Sequence, residues 1–125
     1  MCNSDGNCIA ETLEKVLLIQ QQSNNVNNLG CERPFQTTTT PFNTRPINLY
    51  SCCNNELWNM PYTFNGTTAT STTFRIENIN DNFATFRILI VGENNAYTAT
   101  DNFFTINLKN IVAIKCLNDV FISNI

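Results

Sequence analysis

Two adjacent cysteines, Cys52 and Cys53, are the residues whose type and spacing raise the clearest chemical question in this chain. They lie in the segment LYSCCNNELW, residues 49 to 58. Neighbouring Cα atoms lie about 3.8 Å apart across a trans peptide, which is less than the roughly 4.4 to 6.8 Å that an unstrained disulfide spans. Adjacent thiols therefore do not easily bond to each other, and we expect each of them to be inert or to have a partner elsewhere.

Disulfide formation and covalent cross-linking are the first chemistry to consider, because the chain has six cysteines. The candidates are Cys2, Cys8, Cys31, Cys52, Cys53 and Cys116. The sequence does not choose among their many pairings, within one chain or between chains. Cys116 also has a purely structural interpretation. Val112, Ile114 and Cys116 alternate onto one strand face, where a free cysteine behaves as a small hydrophobic residue.

Other reactive chemistry has few candidate residues. The chain has no histidine, which removes Ser-His-Asp and Cys-His nucleophile pairs, HExxH metal sites and the commonest general base at neutral pH. No glycine-rich phosphate-binding motif is present, and the cysteine gaps form no CxxC knuckle of a zinc site or redox enzyme. Glu11 and Glu14 are close together, but we expect them on an exposed helix surface. We therefore predict no enzyme activity, no catalytic or cofactor-binding residues, no metal and no cofactor.

Charge and composition favour packing against copies of the same chain. The 125 residues include 7 basic and 10 acidic side chains, for a net charge of -3. This low charge leaves little self-repulsion between copies. The basic residues are scattered singly, at Lys15, Arg33, Arg45, Arg75, Arg87, Lys109 and Lys115. Because they form no basic face for phosphate contacts, we do not expect nucleic acid as a partner.

The sequence indicates neither secretion nor a membrane. The start, MCNSDGNC, lacks the basic and apolar regions of a secretory signal. No apolar run approaches the ~18 residues that span a bilayer. We expect a protein that is made and retained in a cytoplasm, with no membrane partner.

The elements that position the cysteines begin with a helix. Residues 1–7 are expected to be a flexible arm that carries a cysteine. Ile9, Leu13, Val16 and Leu17 share one face of a predicted helix over roughly residues 8 to 22. An Asn-rich connector closed by Gly30 follows, so that residues 8–30 form the helix and its connector.

Residues 31–125 are predicted to be an all-β assembly domain, because the apolar period changes to two and β-branched and aromatic residues dominate. Strands are expected near Ile47 to Tyr50, Leu57 to Phe64, Thr68 to Glu77, Phe83 to Val91, Ala96 to Thr100, Phe103 to Leu108, Ile111 to Leu117 and Val120 to Ser123. The stretch from 36 to 46, with its two prolines, is expected to be a loop or an edge strand.

Turn residues give the strand order its local detail. Asn65-Gly66 is a two-residue hairpin signal, because both central positions of a type I′ turn need a positive φ. The next hairpin places Phe74 and Ile76 on one face, with Arg75 on the other. It is expected to form the centre of the core. The predicted fold is mainly β, an antiparallel β-sandwich or jelly-roll-like domain preceded by one short N-terminal helix.

Several of these segments together resemble a known family. The order of CIAETLEKVLLIQQQ, a Cys-containing connector, FRIENINDNFATFRILI and DNFFTINLKNIVAIKCL is similar to that in the CotY, CotZ and ExsY group of bacterial spore coat and exosporium proteins. FRIENINDNFATFRIL and FFTINLKNIVAIKCL are the most specific parts. Cys8 matches the family cysteine that opens the helix, and Cys116 matches the cysteine of the family's Ala-Ile-x-Cys-Leu ending. Asn82 and Phe83 stand where the family carries cysteines.

The resemblance implies a structural protein of the spore surface. Such a protein is made in the mother-cell cytoplasm without a signal peptide. It assembles with copies of itself, as a ring, a two-dimensional lattice or a fibre, and with other spore coat proteins. Disulfides between chains then cross-link the layer once the mother cell lyses and the surroundings become oxidising. Because this chain lacks some family cysteines, the resemblance also implies sparser cross-linking here.

One alternative function comes from a different class, an adhesive or carbohydrate-binding β-sandwich. It would need an exposed aromatic platform, for which Trp58 and Tyr62 are the candidates. The cysteine pair has its own geometric expectation. If the segment is extended at its centre, Cys52 and Cys53 point to opposite sides, because side chains alternate along a strand. One thiol would then serve its own chain and the other a neighbour, with Cys2, Cys8 and Cys31 as candidate partners.

Overall fold

The structure is a computed structural model that describes residues 8–21, 30–35 and 42–125. Its helix and strands are α1 (Cys8–Gln20), β1 (Ile47–Ser51), β2 (Met60–Phe64), β3 (Thr67–Ser71), β4 (Phe74–Asn80), β5 (Phe83–Val91), β6 (Tyr97–Asn107) and β7 (Ile111–Cys116). Five strands form one antiparallel sheet in the order β6-β5-β4-β1-β7, and β2 and β3 form a second sheet. The prediction of a mainly β fold with one short N-terminal helix is confirmed. The predicted arm, residues 1–7, and most of the connector lie outside the described residues.

The core lies between the five-stranded sheet and the elements that cover one of its faces. Helix α1 contributes Leu13 and Val16, which are fully buried. The β4–β5 hairpin contributes Phe74 and Phe86, and Phe104 of β6 packs against both rings, with centroids 4.9 and 5.4 Å away. This confirms that the hairpin holds the centre of the core, as its alternating pattern predicts.

Strand boundaries differ from the predictions at three places before the C-terminal segment. The strand expected from Leu57 begins only at Met60, and Leu57 itself makes an isolated bridge to Tyr50. The expected strand from residue 68 to residue 77 is divided between β3 and β4. The Ser71 hydroxyl donates to the Leu89 carbonyl (2.6 Å) and accepts from the Thr73 amide (3.1 Å), which turns the chain from the hairpin into the large sheet. The strands expected at 96–100 and 103–108 are one strand, β6. It stays paired with β5 along its length because the register of the pairing shifts between Arg87 and Leu89.

The C-terminal segment does not form the strand expected at 120–123. Val120 makes only an isolated bridge to Thr44. Instead Ile122 packs over Leu89 and Ala99 on the second face of the sheet. Side-chain amides hold it there: Asn124 bonds both the N–H (3.2 Å) and the C=O (2.8 Å) of Ala99. The Asn43 side chain likewise donates to the C=O (2.9 Å) and accepts from the N–H (3.0 Å) of Ile122, so that two side-chain amides take the place of a strand partner.

The β2–β3 turn has the geometry that its sequence predicts. Asn65 and Gly66 have φ values of 51° and 78°, and Phe64 pairs directly with Thr67. A Cβ at Gly66 would meet no atom within 4 Å, so that backbone conformation alone decides the cost of a side chain there.

Replacing Gly66 with alanine is therefore expected to lower the free energy of unfolding by about 1 kcal/mol, because alanine is strained at positive φ. Urea unfolding followed by circular dichroism measures the loss. Gly66→Asn is the matched control, because asparagine tolerates this region better, and it should lose less. Equal losses for the two variants would contradict a conformational cause.

Candidate cross-linking site

Two cysteines of the described ranges are joined to each other. Cys31 lies in a single-turn 3-10 helix (Gly30–Glu32), and Cys116 is the last residue of β7. Their Cα atoms are 5.5 Å apart and they form a disulfide that links positions 85 residues apart. The prediction that Cys116 is a free, merely apolar residue is therefore wrong. The predicted alternation is correct for Ile114 and Cys116, which pack against the core, and wrong for Val112, which is 51% exposed. Alternation also does not reveal what lies opposite Cys116.

A buried ion pair lies beside this disulfide. The Arg45 side chain is 0% exposed and the Asp119 side chain 5%. Arg45 donates from Nε to Oδ1 (2.6 Å) and from Nη2 to Oδ2 (2.9 Å) of Asp119, and from Nη1 to the Cys31 carbonyl (2.6 Å). Charge-assisted bidentate bonds of this kind are among the strongest side-chain contacts. We call Cys31, Arg45, Cys116 and Asp119 the anchoring cluster.

The anchoring cluster fastens three separate segments together. Cys31 brings the segment after the connector, Arg45 brings the segment before β1, and Asp119 brings the segment after β7. Gln20 extends the contact to α1, because its side chain accepts from the Arg45 amide (3.0 Å) and donates to the Ile76 carbonyl (3.0 Å). Sequence reasoning missed this arrangement, since it treated Arg45 only as one of several scattered basic residues.

Cys52 and Cys53 are the two free, exposed cysteines of the described residues. They lie in a turn that follows β1, and their sulfurs are 2.7 Å apart. The expectation that the segment is extended and sends the two thiols to opposite sides is therefore wrong. Strand alternation ends with β1 at Ser51, so that both thiols are presented together.

Polar contacts around the turn explain why the strand ends there. The Ser51 hydroxyl bonds the Asn54 side-chain oxygen, and the Ser51 amide donates to the Glu56 carbonyl (2.9 Å). Asn55 has a φ of 60°, which reverses the chain toward β2. The Cys52 amide donates to the Asn110 carbonyl (2.8 Å), which ties the turn to the loop before β7. The thiol pair is thus held at the end of the β1–β7 ladder.

The Cys53 side chain influences the ionisation of Cys52. The hydrogen bond with Cys53 raises the pKa of the Cys52 thiol above its ordinary value, desolvation and the electrostatic interaction with Cys53 act in the same direction, and a backbone hydrogen bond acts against them. The physical reason is that a hydrogen bond to the neutral thiol favours its protonated form. Cys52 is therefore mainly a thiol at neutral pH, and its nucleophilic thiolate becomes more abundant as the pH rises.

The remaining candidate residues are two cysteines and two aromatic side chains. Cys2 lies outside the described residues, and Cys8 is the first residue of α1. Trp58 and Tyr62 are half-buried and pack against the core, and the Trp58 indole N–H donates to the sulfur of Met60 (3.2 Å). They do not form the exposed aromatic platform that a carbohydrate-binding function would need.

Two features of the described ranges bear on other functions. Within residues 8–21, 30–35 and 42–125, no three His, Cys, Asp or Glu side chains come together as a metal-binding group. No helix in the same ranges has the length and apolar character needed to cross a bilayer.

These features define a class, a small antiparallel β-domain whose described part is closed by the Cys31–Cys116 disulfide and presents a pair of free thiols. The comparison with protein families gives a more specific result. The family model for spore coat protein Z matches residues 2–99, and the chain therefore belongs to the spore coat protein Z family. This membership supports a structural role in the spore coat. No curated protein and no solved structure matches the chain significantly.

The extent of the family match modifies the resemblance found in the sequence. FRIENINDNFATFRIL lies inside the matched range, whereas all of DNFFTINLKNIVAIKCL lies beyond its end at residue 99. Cys31, Cys52 and Cys53 are therefore within the part that matches the family. Cys116 is outside it, although it forms the internal disulfide with Cys31.

Proposed function

We propose that this protein is a self-assembling structural component of the bacterial spore surface, in the coat or exosporium, and that disulfides between chains cross-link it into an ordered layer or fibre. The observation that carries the proposal is the contrast between its two described cysteine pairs. Cys31 and Cys116 are bonded to each other, whereas Cys52 and Cys53 are exposed and free. Of these two described pairs, the second is the one whose thiols are free to react with another molecule.

Weak contacts and covalent bonds have different roles in this assembly. The chain carries a net charge of only -3, so that copies repel each other little. A symmetric ring or lattice repeats each weak contact many times, and a neighbour held in place has a high effective concentration. A disulfide formed afterwards makes the contact effectively permanent. In this proposal residues 31–125 are the assembly domain, and the arm at 1–7 reaches a neighbouring copy.

The proposed setting accounts for free thiols in a disulfide-forming protein. The chain is made in the reducing cytoplasm of the mother cell, where thiols persist. Release to oxidising surroundings follows after the layer has formed. Its partners are then copies of itself and other spore coat proteins.

Electrophoresis of purified assemblies with and without reductant tests the cross-linking. We expect a ladder of covalent oligomers without reductant and a single monomer band with it. The Cys52→Ser/Cys53→Ser variant should lose most of the ladder, because it lacks the exposed thiols. Monomers in both lanes for the wild type would contradict cross-linking.

A Cys31→Ser/Cys116→Ser variant is the matched control, because it also removes two cysteines. It should keep the ladder, since in the wild type these two cysteines are bonded to each other and do not form bonds between chains. If instead the ladder survives the loss of Cys52 and Cys53, the cross-links do not run through this pair. Electron microscopy of the same samples separates a net from a filament.

A further inference from the structure

We propose that Cys52 and Cys53 together form a thiol–disulfide exchange site for low-molecular-weight disulfides, at which oxidation closes a bond within the turn instead of leaving a mixed disulfide. The observation is the juxtaposition of the two sulfurs, both exposed and 2.7 Å apart. A mixed disulfide on either sulfur would have a second thiol within contact distance. This chemistry needs no second copy of the chain.

The exchange proceeds in two steps. The thiolate of one cysteine attacks a sulfur of the small disulfide, RSSR, which forms a mixed disulfide and expels RS⁻. The second cysteine gives up its proton, and its thiolate attacks the protein sulfur of the mixed disulfide. This closes the Cys52–Cys53 bond and expels the second RS⁻. In total the two protein thiols lose two electrons and two protons, and RSSR becomes two RSH.

The turn favours the second step over the release of a stable mixed disulfide. Attack within one turn replaces a collision between molecules, which is a large kinetic advantage when the groups are already in position. The two sulfurs are already in contact, 2.7 Å apart, although the bond that closes between them is strained by the spacing of adjacent Cα atoms. Backbone bonds from Cys52 to Asn110 (2.8 Å) and from Asn55 to Ser51 (3.2 Å) hold the turn in place meanwhile.

The closed ring should also be the more easily reduced disulfide of the chain. Adjacent Cα atoms are about 3.8 Å apart, closer than an unstrained disulfide prefers, and strained, exposed disulfides are the labile ones. The Cys31–Cys116 bond has an ordinary Cα separation of 5.5 Å and packs against the core. The two bonds of one chain are thus expected to differ in lability.

The consequence for assembly rests on the proposed function. A chain oxidised before it meets its neighbours would close the ring and would carry no free thiol at the site. In a formed layer, a thiolate of an adjacent copy could attack one ring sulfur, giving a disulfide between chains and one free thiol. The ring would then supply the oxidising equivalents for the cross-link, and no further oxidant would be consumed.

Oxidised glutathione and the dilute, unassembled full-length chain provide the test. After alkylation of free thiols, peptide mass spectrometry should find the wild-type pair unalkylated, lighter by two hydrogens and without glutathione. Cys52→Ser and Cys53→Ser should each retain glutathione on the remaining cysteine. Retention by the wild type at the level of the single variants, or no reaction at either cysteine, would overturn the proposal.

A reductant titration completes the experiment. The ring should reopen at about tenfold less dithiothreitol than the Cys31–Cys116 bond requires, and simultaneous reduction of the two would overturn the predicted lability. Because these measurements use the unassembled chain, they can fail while the assembled layer still shows its reductant-sensitive ladder. In the opposite case, the unassembled chain would close the ring while the assembled layer shows no reductant-sensitive ladder, and the proposed cross-linking alone would fail.

Discussion

Replacing Cys31 and Cys116 together with alanine is expected to lower the free energy of unfolding by about 4 kcal/mol. The disulfide joins residues 85 positions apart, and the loss of loop-closure entropy in the unfolded chain grows with loop length, reaching roughly 4 to 5 kcal/mol for a loop of this size. For a domain of this size the melting temperature should fall by about 15 °C. Thermal and urea unfolding of dilute protein, followed by circular dichroism, measure both changes.

The chain provides its own matched control for this prediction. Cys52→Ala/Cys53→Ala removes the same number of cysteines but breaks no covalent bond in the described structure, and its stability should change by less than about 0.5 kcal/mol. Dithiothreitol should destabilise the wild type to the level of the Cys31→Ala/Cys116→Ala variant and leave that variant unaffected. An unfolding midpoint that is the same with and without the bond would show that the disulfide does not stabilise the domain.

The parts of the fold that the sequence predicts well are those fixed by neighbouring residues. Positive φ at Asn65 and Gly66 follows from the turn type, and the burial of Phe74, Ile76 and Phe86 follows from the two-residue period of a strand. Each of these depends on a few adjacent positions. One sequence is enough to infer them.

The anchoring cluster could not be predicted in this way. Cys31 and Cys116 are 85 residues apart, and Arg45 and Asp119 are 74 apart. Nothing in either local segment indicates the other, because their contact depends on how three segments converge beside β7. The periodicity identifies the face on which Cys116 lies, and the tertiary fold alone supplies its partner.

The turn at Cys52 and Cys53 was predicted wrongly for a different reason, because the sequence does contain a turn signal. Asn54 and Asn55 directly follow the cysteines, and asparagine favours turns through its side-chain bonds and its tolerance of positive φ. Asn54 accepts the hydrogen bond from the Ser51 hydroxyl, and Asn55 adopts the φ of 60°. Giving these asparagines more weight than strand alternation would have predicted a turn that presents both thiols together.

The two cysteine pairs suggest a division between internal stability and external chemistry. The Cys31–Cys116 bond packs against the core beside a buried ion pair, whereas the Cys52–Cys53 turn is exposed at the other end of β7. Exchange at the exposed pair can therefore proceed while the domain stays closed. This separation is what a building block needs if covalent bonds between copies are to form and rearrange without unfolding it.

Removing one charge of the Arg45–Asp119 pair is expected to lower the free energy of unfolding about as much as removing the Cys31–Cys116 disulfide. Arg45→Met and Asp119→Leu should each lower the free energy of unfolding by about 3 to 5 kcal/mol, because each leaves the other charge buried without its partner. The double variant should lose much less than the sum, since it removes both charges. What it still loses is the bond from Arg45 to the Cys31 carbonyl, about 1 to 3 kcal/mol for an unsatisfied buried acceptor.

Urea unfolding of the wild type, both single variants and the double variant gives the coupling energy between the two side chains directly. Arg33→Met is the matched control. Arg33 approaches the same carboxylate, at 3.7 Å, but its side chain is 43% exposed, and an ion pair screened by water contributes less than about 1 kcal/mol. Losses from Arg45→Met and Asp119→Leu that simply add in the double variant would show that the two charges do not stabilise each other. The segment that carries Cys31 would then be attached to the end of β7 by the disulfide and by the bond from Arg45 to the Cys31 carbonyl, with no contribution from the attraction between the two charges.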